Sequence, residues 1–205
     1  FWSLNFFVCP EVLIPRPESE TIIEAVINCI PRRDVLCRIL DFGTGSGCLL
    51  LALLSEYRRA LGLGIDISRH SIAIAKKNSE MNGFRNRANF HFGDWAVKSK
   101  IFKGPFEIIV SNPPYIPSSQ VSKLDPGIFN YEPLRSLDGG ADGLVPYRKI
   151  LATGLALLAK NGIIALEVGV DQADKVVDIA IRLGYKLVEI RNDLASIPRV
   201  VTFKR

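Results

Sequence analysis

The sequence predicts an α/β fold: a mostly parallel seven-stranded sheet with helices on both faces and an antiparallel C-terminal strand. Three observations carry this. Short aliphatic runs alternate with longer stretches of helical period along most of the chain, the pattern of βα units feeding a parallel sheet. A glycine-rich turn, Gly43-Thr44-Gly45-Ser46-Gly47, lies between the first such run and the helix after it, where open α/β sheets bind ligands. The last two strand-like runs, Tyr185 to Arg191 and Arg199 to Phe203, are joined by a connection too short for a crossover helix, so they pair antiparallel.

The elements follow in order. After the Pro-rich stretch from Pro10 to Pro17, the segment Glu18 to Ile30 sets Ile22, Ile23, Val26, Ile27 and Ile30 at helical spacing, and Pro31 stops it. Arg38 to Phe42 then reads as a strand, Gly47 to Tyr57 as a helix, Leu61 to Ile67 as a strand and His70 to Met81 as a helix. Two further strands span Ala88 to Phe92 and Phe106 to Ser111. Tyr147 to Ala159 (helix), Ile163 to Val168 (strand) and Asp171 to Leu183 (helix) lead to the final pair. The exception is Ser118 to Pro146, long, polar and rich in Gly and Pro, with turns at Asp138-Gly139-Gly140 and Asp142-Gly143. Long loops in compact proteins are usually functional or disordered, and this one is expected to form a flap beside the site.

With 205 residues, 48% of them apolar, the chain is long enough to bury a full core. It is expected to form one globular unit over 1–205, with an opening segment and helix in 1–30 and the core in 31–205. No apolar run reaches the roughly 18 residues of a membrane span, and the first residues lack the basic region and apolar stretch of a secretory signal. Cys9, Cys29, Cys37 and Cys48 lack CxxC spacing, and His70 and His91 are the only histidines. There is little here for a metal site or a triad, so the histidines are expected to be structural and the thiols reduced, as in a cytoplasmic protein. The net charge of +5 is a weak pointer to an acidic partner, and the cluster Lys98, Lys100 and Lys103 reads as a solvated loop.

The glycine turn reads G-x-G-x-G, not the G-x-G-x-x-G of dinucleotide sites, because Cys48 follows Gly47. Asp66 ends the second strand about twenty residues on, where its carboxylate would accept hydrogen bonds from both ribose hydroxyls of an adenosyl group. A plain helix cap at Asp66 or Ser68 is the other reading. Gly93-Asp94-Trp95 follows the third strand, placing the Trp95 indole to stack on adenine and Asp94 to accept from its amino group.

The most specific stretch is Asn112-Pro113-Pro114-Tyr115, at the carboxyl end of a buried strand. The prolines restrict the backbone, so the Asn112 carboxamide and the Pro113 carbonyl present two acceptors in a set direction. Those two match the two hydrogens of a planar NH2 group, whose nitrogen would then be held for methylation while Tyr115 packs against the plane. A simple turn after a strand is the alternative use of these residues.

Over essentially its whole length the chain resembles the protein N5-glutamine methyltransferases that modify peptide-chain release factors. The resemblance rests on Leu13-Ile14-Pro15-Arg16-Pro17-Glu18, Asp41 through Gly47, Gly93-Asp94-Trp95, Ser111 through Tyr115, Tyr131-Glu132-Pro133 and Leu137 through Leu144. It implies the Rossmann-like class I methyltransferase fold, S-adenosylmethionine as cofactor with S-adenosylhomocysteine as product, and the Gln of a release factor's Gly-Gly-Gln motif as substrate. Cofactor contacts are implied at Gly43, Thr44, Gly45, Ser46, Gly47, Asp66, Trp95 and Asn112. Substrate contacts are implied at Asn112, Pro113, Pro114 and Tyr115, with Asn112, Pro113 and Tyr115 catalytic. The family usually has a helical N-terminal docking domain, and this chain begins where that domain would have ended, so weaker partner binding is expected. Ser19 stands where the family commonly has Thr.

Two other readings stay open on the residues alone. An enzyme methylating exocyclic amines of adenine or guanine in DNA or RNA would use the same Asn-Pro-Pro-Tyr chemistry, although clustered cations and stacking platforms for a flipped base are not evident. A non-catalytic cofactor-binding interaction module would bind S-adenosylmethionine without transferring its methyl group.

Overall fold

The structure is a computed structural model that describes residues 1–95, 104–125, 127 and 132–205. Lys98, Lys100, Lys103 and Tyr131 lie outside the described residues. Among the described residues, seven strands form one sheet: β1 (Arg38–Phe42), β2 (Leu61–Asp66), β3 (Ala88–Phe92), β4 (Phe106–Ser111), β5 (Leu158–Glu167), β6 (Lys186–Asn192) and β7 (Pro198–Lys204). Their order is β3-β2-β1-β4-β5-β7-β6. β1 to β5 pair parallel, and β7 runs antiparallel to both β5 and β6. The C-terminal strand therefore slots between β5 and β6 and is the one reversed strand of the sheet.

The central strands are aliphatic on both faces because both faces are covered, as buried parallel strands require. Ile39, Ile108 and Val110 join a cluster with α1 (Glu20–Cys29), α2 (Cys48–Glu56) and α3 (Arg69–Met81). Their neighbours Leu40 and Ile109 join the opposite cluster with the helices Val145–Leu157 and Ala173–Arg182. The alternation is the period-two geometry of a pleated strand. Within α2, Leu49 through Leu54 are all buried. α3 is capped by Ser68, whose side chain accepts from the Ser71 amide at 3.3 Å.

From β1 the chain steps outward to β2 and β3, then returns to place β4 on the other side of β1. Strand order reverses between β1 and β4, and the carboxyl ends of these two strands open a crevice there. Ser111 Oγ donates to the Phe42 carbonyl at 2.6 Å, so the residue before Asn112 is tied to the residue before Gly43. Among the described residues no helix is long and apolar enough to cross a membrane.

Two expectations need correction. The helix expected over Tyr147 to Ala159 instead spans Val145–Leu157, started by Pro146 in its first turn, and β5 begins at once at Leu158. Leu158 is buried and pairs with Phe106, so packing overrides its helical propensity. The segment Ser118 to Pro146 is not simply a loop. Ser118–Val121 forms a helical turn and Leu134–Ser136 a 3-10 turn, and Ile116 bridges Asp138.

Candidate functional site

The glycine turn after β1 is left-handed at Gly43 (φ 71°), Gly45 (φ 54°) and Gly47 (φ 83°), a region that L side chains rarely adopt. It is pinned from several sides. The Gly43 and Thr44 amides donate to the Ile65 carbonyl at 2.8 and 3.0 Å, and the Gly45 amide donates to Asp66 Oδ2 at 3.0 Å. Asp66 Oδ1 accepts from the Ser68 amide at 2.8 Å. The helix cap is therefore Ser68 and not Asp66. Asp66 instead holds the glycine turn against β2 while lining the crevice. Burial pushes its carboxyl above the usual range, against the hydrogen bonds from Gly45 and Ser68.

The crevice is a cleft lined by residues from several parts of the chain. Of the residues singled out from the sequence, it gathers Gly43, Thr44, Gly45, Ser46, Asp66, Trp95, Asn112 and Pro114. Gly47 turns the other way, with Ala75 and Phe90 behind it. Trp95 lies across Gly43, where a Cβ would come within 3.0 Å of the indole. Asp94 lines a neighbouring recess with Trp95 rather than the cleft itself, so it stands farther from the glycine turn than Trp95 does.

A second cavity of about 540 Å³ is lined by Asn112, Pro113 and Tyr115, together with Leu13, Arg16, Glu132, Ser136 and Glu167. Asn112 lines both cavities, with Pro114 on the first and Pro113 and Tyr115 on the second. The tetrapeptide thus forms a wall between two compartments, and Asn112 is its member that lines both. Its Nδ2 donates to Ser19 Oγ at 3.0 Å, and Ser19 Oγ donates to Glu167 Oε2 at 2.5 Å. Burial raises the Glu167 carboxyl to about 7, opposed by the hydrogen bond from Ser19 and the charge of Arg199.

The backbone of the wall is buttressed by the segment expected to be a loop. The Ile116 amide donates to the Leu137 carbonyl at 3.0 Å, and the Gly139 amide donates to the Ile116 carbonyl at 2.8 Å. Gln172 Nε2 donates to the Tyr115 carbonyl at 2.8 Å. A Cβ at Gly139 would sit 2.8 Å from Tyr115 Cα, and one at Gly143 (φ 73°) would run into the Tyr115 carbonyl oxygen. These glycines let one chain segment lie directly on another. Gly143→Ala is accordingly expected to lose about 1–2 kcal/mol from the left-handed backbone alone and more from the contact, read as a lower midpoint in thermal unfolding. An unchanged midpoint would mean that the two segments do not bear on each other.

Several residues here carried no role in the sequence reading. Asp41, fully buried beside the turn, accepts from Thr44 Oγ1 at 2.6 Å, and burial raises its carboxyl to about 7. Arg16 lines both cavities and pairs with Glu132, joining the N-terminal stretch to the segment after Ser118. Ser19, Glu167 and Gln172 come from three separate stretches of chain, and no local motif links them to Asn112. His70 and His91 are exposed, as residues of α3 and β3. Among the described residues no cluster of His, Cys, Asp or Glu could hold a metal ion.

Comparison with known proteins agrees with this geometry. The family described as "Methyltransferase domain" matches residues 33–176. The "Release factor glutamine methyltransferase" of Rhodospirillum rubrum is 44% identical over all of this chain, which spans 62% of that protein's length. The protein of the same description from Agrobacterium fabrum is 39% identical, again over the whole chain and over 71% of its own length. Among solved structures, the protein-(glutamine-N5) methyltransferase (release factor-specific) of Alicyclobacillus acidocaldarius superposes with a TM-score of 0.56 at 28% identity, covering 98% of this chain and 99% of that one. With its reversed seventh strand, its glycine turn at the strand-order switch and its Asn-Pro-Pro-Tyr wall, the chain belongs to the release factor glutamine methyltransferase family.

Proposed function

We propose that this chain transfers a methyl group from S-adenosylmethionine to the side-chain amide nitrogen of the Gln in the Gly-Gly-Gln motif of a peptide-chain release factor, giving N5-methylglutamine. The observation that carries the proposal is the place of Asn112, on the wall between two cavities and lining both. One compartment would take the cofactor and the other the glutamine side chain.

The cleft at the glycine turn suits an adenosyl cofactor. Asp66 accepts two backbone hydrogen bonds and one from the Ser71 side chain, which leaves its carboxylate a lone pair for a ribose hydroxyl. Ser46 lines the same cleft. Trp95 offers a flat face beside Gly43. When bound there, S-adenosylmethionine would supply an electrophilic methyl group on a sulfonium centre; as the amide nitrogen takes the methyl, S-adenosylhomocysteine leaves and one of the two amide protons is released to solvent.

The chain's own part is binding and orientation. Asn112 Oδ1 and the Pro113 carbonyl accept the two amide hydrogens of the glutamine, and Tyr115 packs against its plane. An amide nitrogen is a poor nucleophile because its lone pair is delocalised, so acceptors that favour the pyramidal geometry act mainly on the transition state. Positioning supplies much of the remaining rate, since well-oriented reacting groups gain roughly 7 to 11 kcal/mol. The paired stretches around Arg16 and Glu132 would border the entry of the release-factor loop.

The test is transfer of label from S-adenosylmethionine to a purified release factor, beside its Gln→Ala variant and beside unmethylated DNA and ribosomal RNA. Label on the wild-type factor alone is expected. Label on nucleic acid alone would instead favour methylation of an exocyclic base amine.

A further inference from the structure

A carboxamide has two chemically opposite ends: Oδ1 accepts and Nδ2 donates. The proposed reaction needs Oδ1 to meet the substrate nitrogen, because Nδ2 in its place would set a donor against a donor. The stiff Pro-Pro backbone decides where the Asn112 amide sits, but not which end turns to the substrate.

Ser19 and Glu167 decide the orientation together, and the Glu167 carboxylate also takes a hydrogen bond from the Asn112 side chain. The Ser19 hydroxyl has one proton, which goes to Glu167 Oε2 at 2.5 Å, and an ionised carboxylate only accepts. The Ser19 oxygen is left to accept, and Asn112 Nδ2 donates to it at 3.0 Å. A flipped amide would place Oδ1 against an oxygen with no proton to give. Ser19 and Glu167 are each only 2% exposed, so bulk water has little access to either. The three groups come from different elements: the 3-10 turn Pro17–Ser19 before α1, the end of β4 and the end of β5. Such a relay orients a functional side chain as outer partners orient a metal ligand.

We propose that Ser19 and Glu167 are positioning residues, whose relay holds the Asn112 amide with Oδ1 toward the substrate nitrogen. This rests on the glutamine-transfer reading above. It also sets a pH dependence. A protonated Glu167 would donate to Ser19 Oγ, and the Ser19 proton would then point to Asn112 and favour the flipped amide. The groups bearing on Glu167 are Ser19, Asn112, Glu18, Arg199, Cys48, Tyr115 and Tyr147. Burial raises Cys48 and Tyr115 to about 12 and Tyr147 well above its ordinary range, so these three stay neutral at neutral pH. With Glu167 raised to about 7, turnover should climb as pH rises through that value.

The experiment compares wild type with Ser19→Ala, Ser19→Thr and Glu167→Gln, measuring kcat and KM for a release factor, the Kd of S-adenosylmethionine and the pH profile of kcat. Ser19→Ala should lower kcat about tenfold or more, as expected for losing a hydrogen bond linked to a charge, with an unchanged cofactor Kd. Ser19→Thr keeps the hydroxyl and should restore kcat to within about threefold of wild type. Glu167→Gln should remove the acid limb near neutral pH. A Ser19→Ala enzyme with wild-type kcat, or a pH profile of kcat that Glu167→Gln leaves unchanged, overturns the relay while wild-type transfer upholds the functional reading. Absence of wild-type transfer to the factor overturns the functional reading and the relay with it.

Discussion

Asn112→Ala is expected to lower methyl transfer by about two to three orders of magnitude while leaving S-adenosylmethionine binding close to wild type. The size follows from the loss of one oriented acceptor in a site where charge and geometry change on the way to the transition state, worth roughly 2.7–4 kcal/mol. The selectivity follows from position. Asn112 borders the cleft at the glycine turn, but Asp66, Ser46 and Trp95 line it independently, whereas the second cavity meets it directly beside Pro113 and Tyr115. Single-turnover rates, with calorimetric titration of the cofactor, separate the two effects. Unchanged turnover would remove Asn112 from the mechanism.

Asp66→Ala should act on the other compartment. It removes the acceptor proposed for the ribose and also the anchor of the Gly45 and Ser68 amides. Hydrogen bonds to a charged group contribute about 1.5–3 kcal/mol each, so a cofactor Kd weaker by about one to two orders of magnitude is expected. Thermal stability should fall as well, because the left-handed glycine turn loses its tie to β2. If the Kd is unchanged while the melting temperature falls, Asp66 is structural only, and the ribose must be held elsewhere.

β1, β3 and β4 occupy the ranges read for them: β1 and β4 because largely apolar runs of this length serve as buried parallel strands, and β3, at the sheet edge, because buried Ala88 and Phe90 alternate with exposed Asn89 and His91. The glycine turn and the Asn-Pro-Pro-Tyr wall were legible for a related reason: each depends on residues with special backbone behaviour, contiguous in the chain. The relay behind Asn112 was not. Ser19 and Glu167 are 148 positions apart, and their relation exists only once β5 has paired with β4 and α1 has packed on the sheet. Leu158 and Ala159, read as the end of the preceding helix, misled for the opposite reason: their local preference continues it, while the pairing of Leu158 with Phe106 of β4 decides for strand. In the stretch after Ser118, Gly139 and Gly143 were visible as turn residues. That they sit against the Tyr115 backbone is a tertiary fact.

The central claim is that the wall between the two cavities presents a glutamine amide for methylation. Its most direct test is tandem mass spectrometry of a release factor after incubation with this protein and S-adenosylmethionine. The account predicts a single added methyl group, on the side-chain nitrogen of the Gln in the Gly-Gly-Gln motif. A methyl group on any other residue, or none under conditions where the cofactor binds, would contradict it.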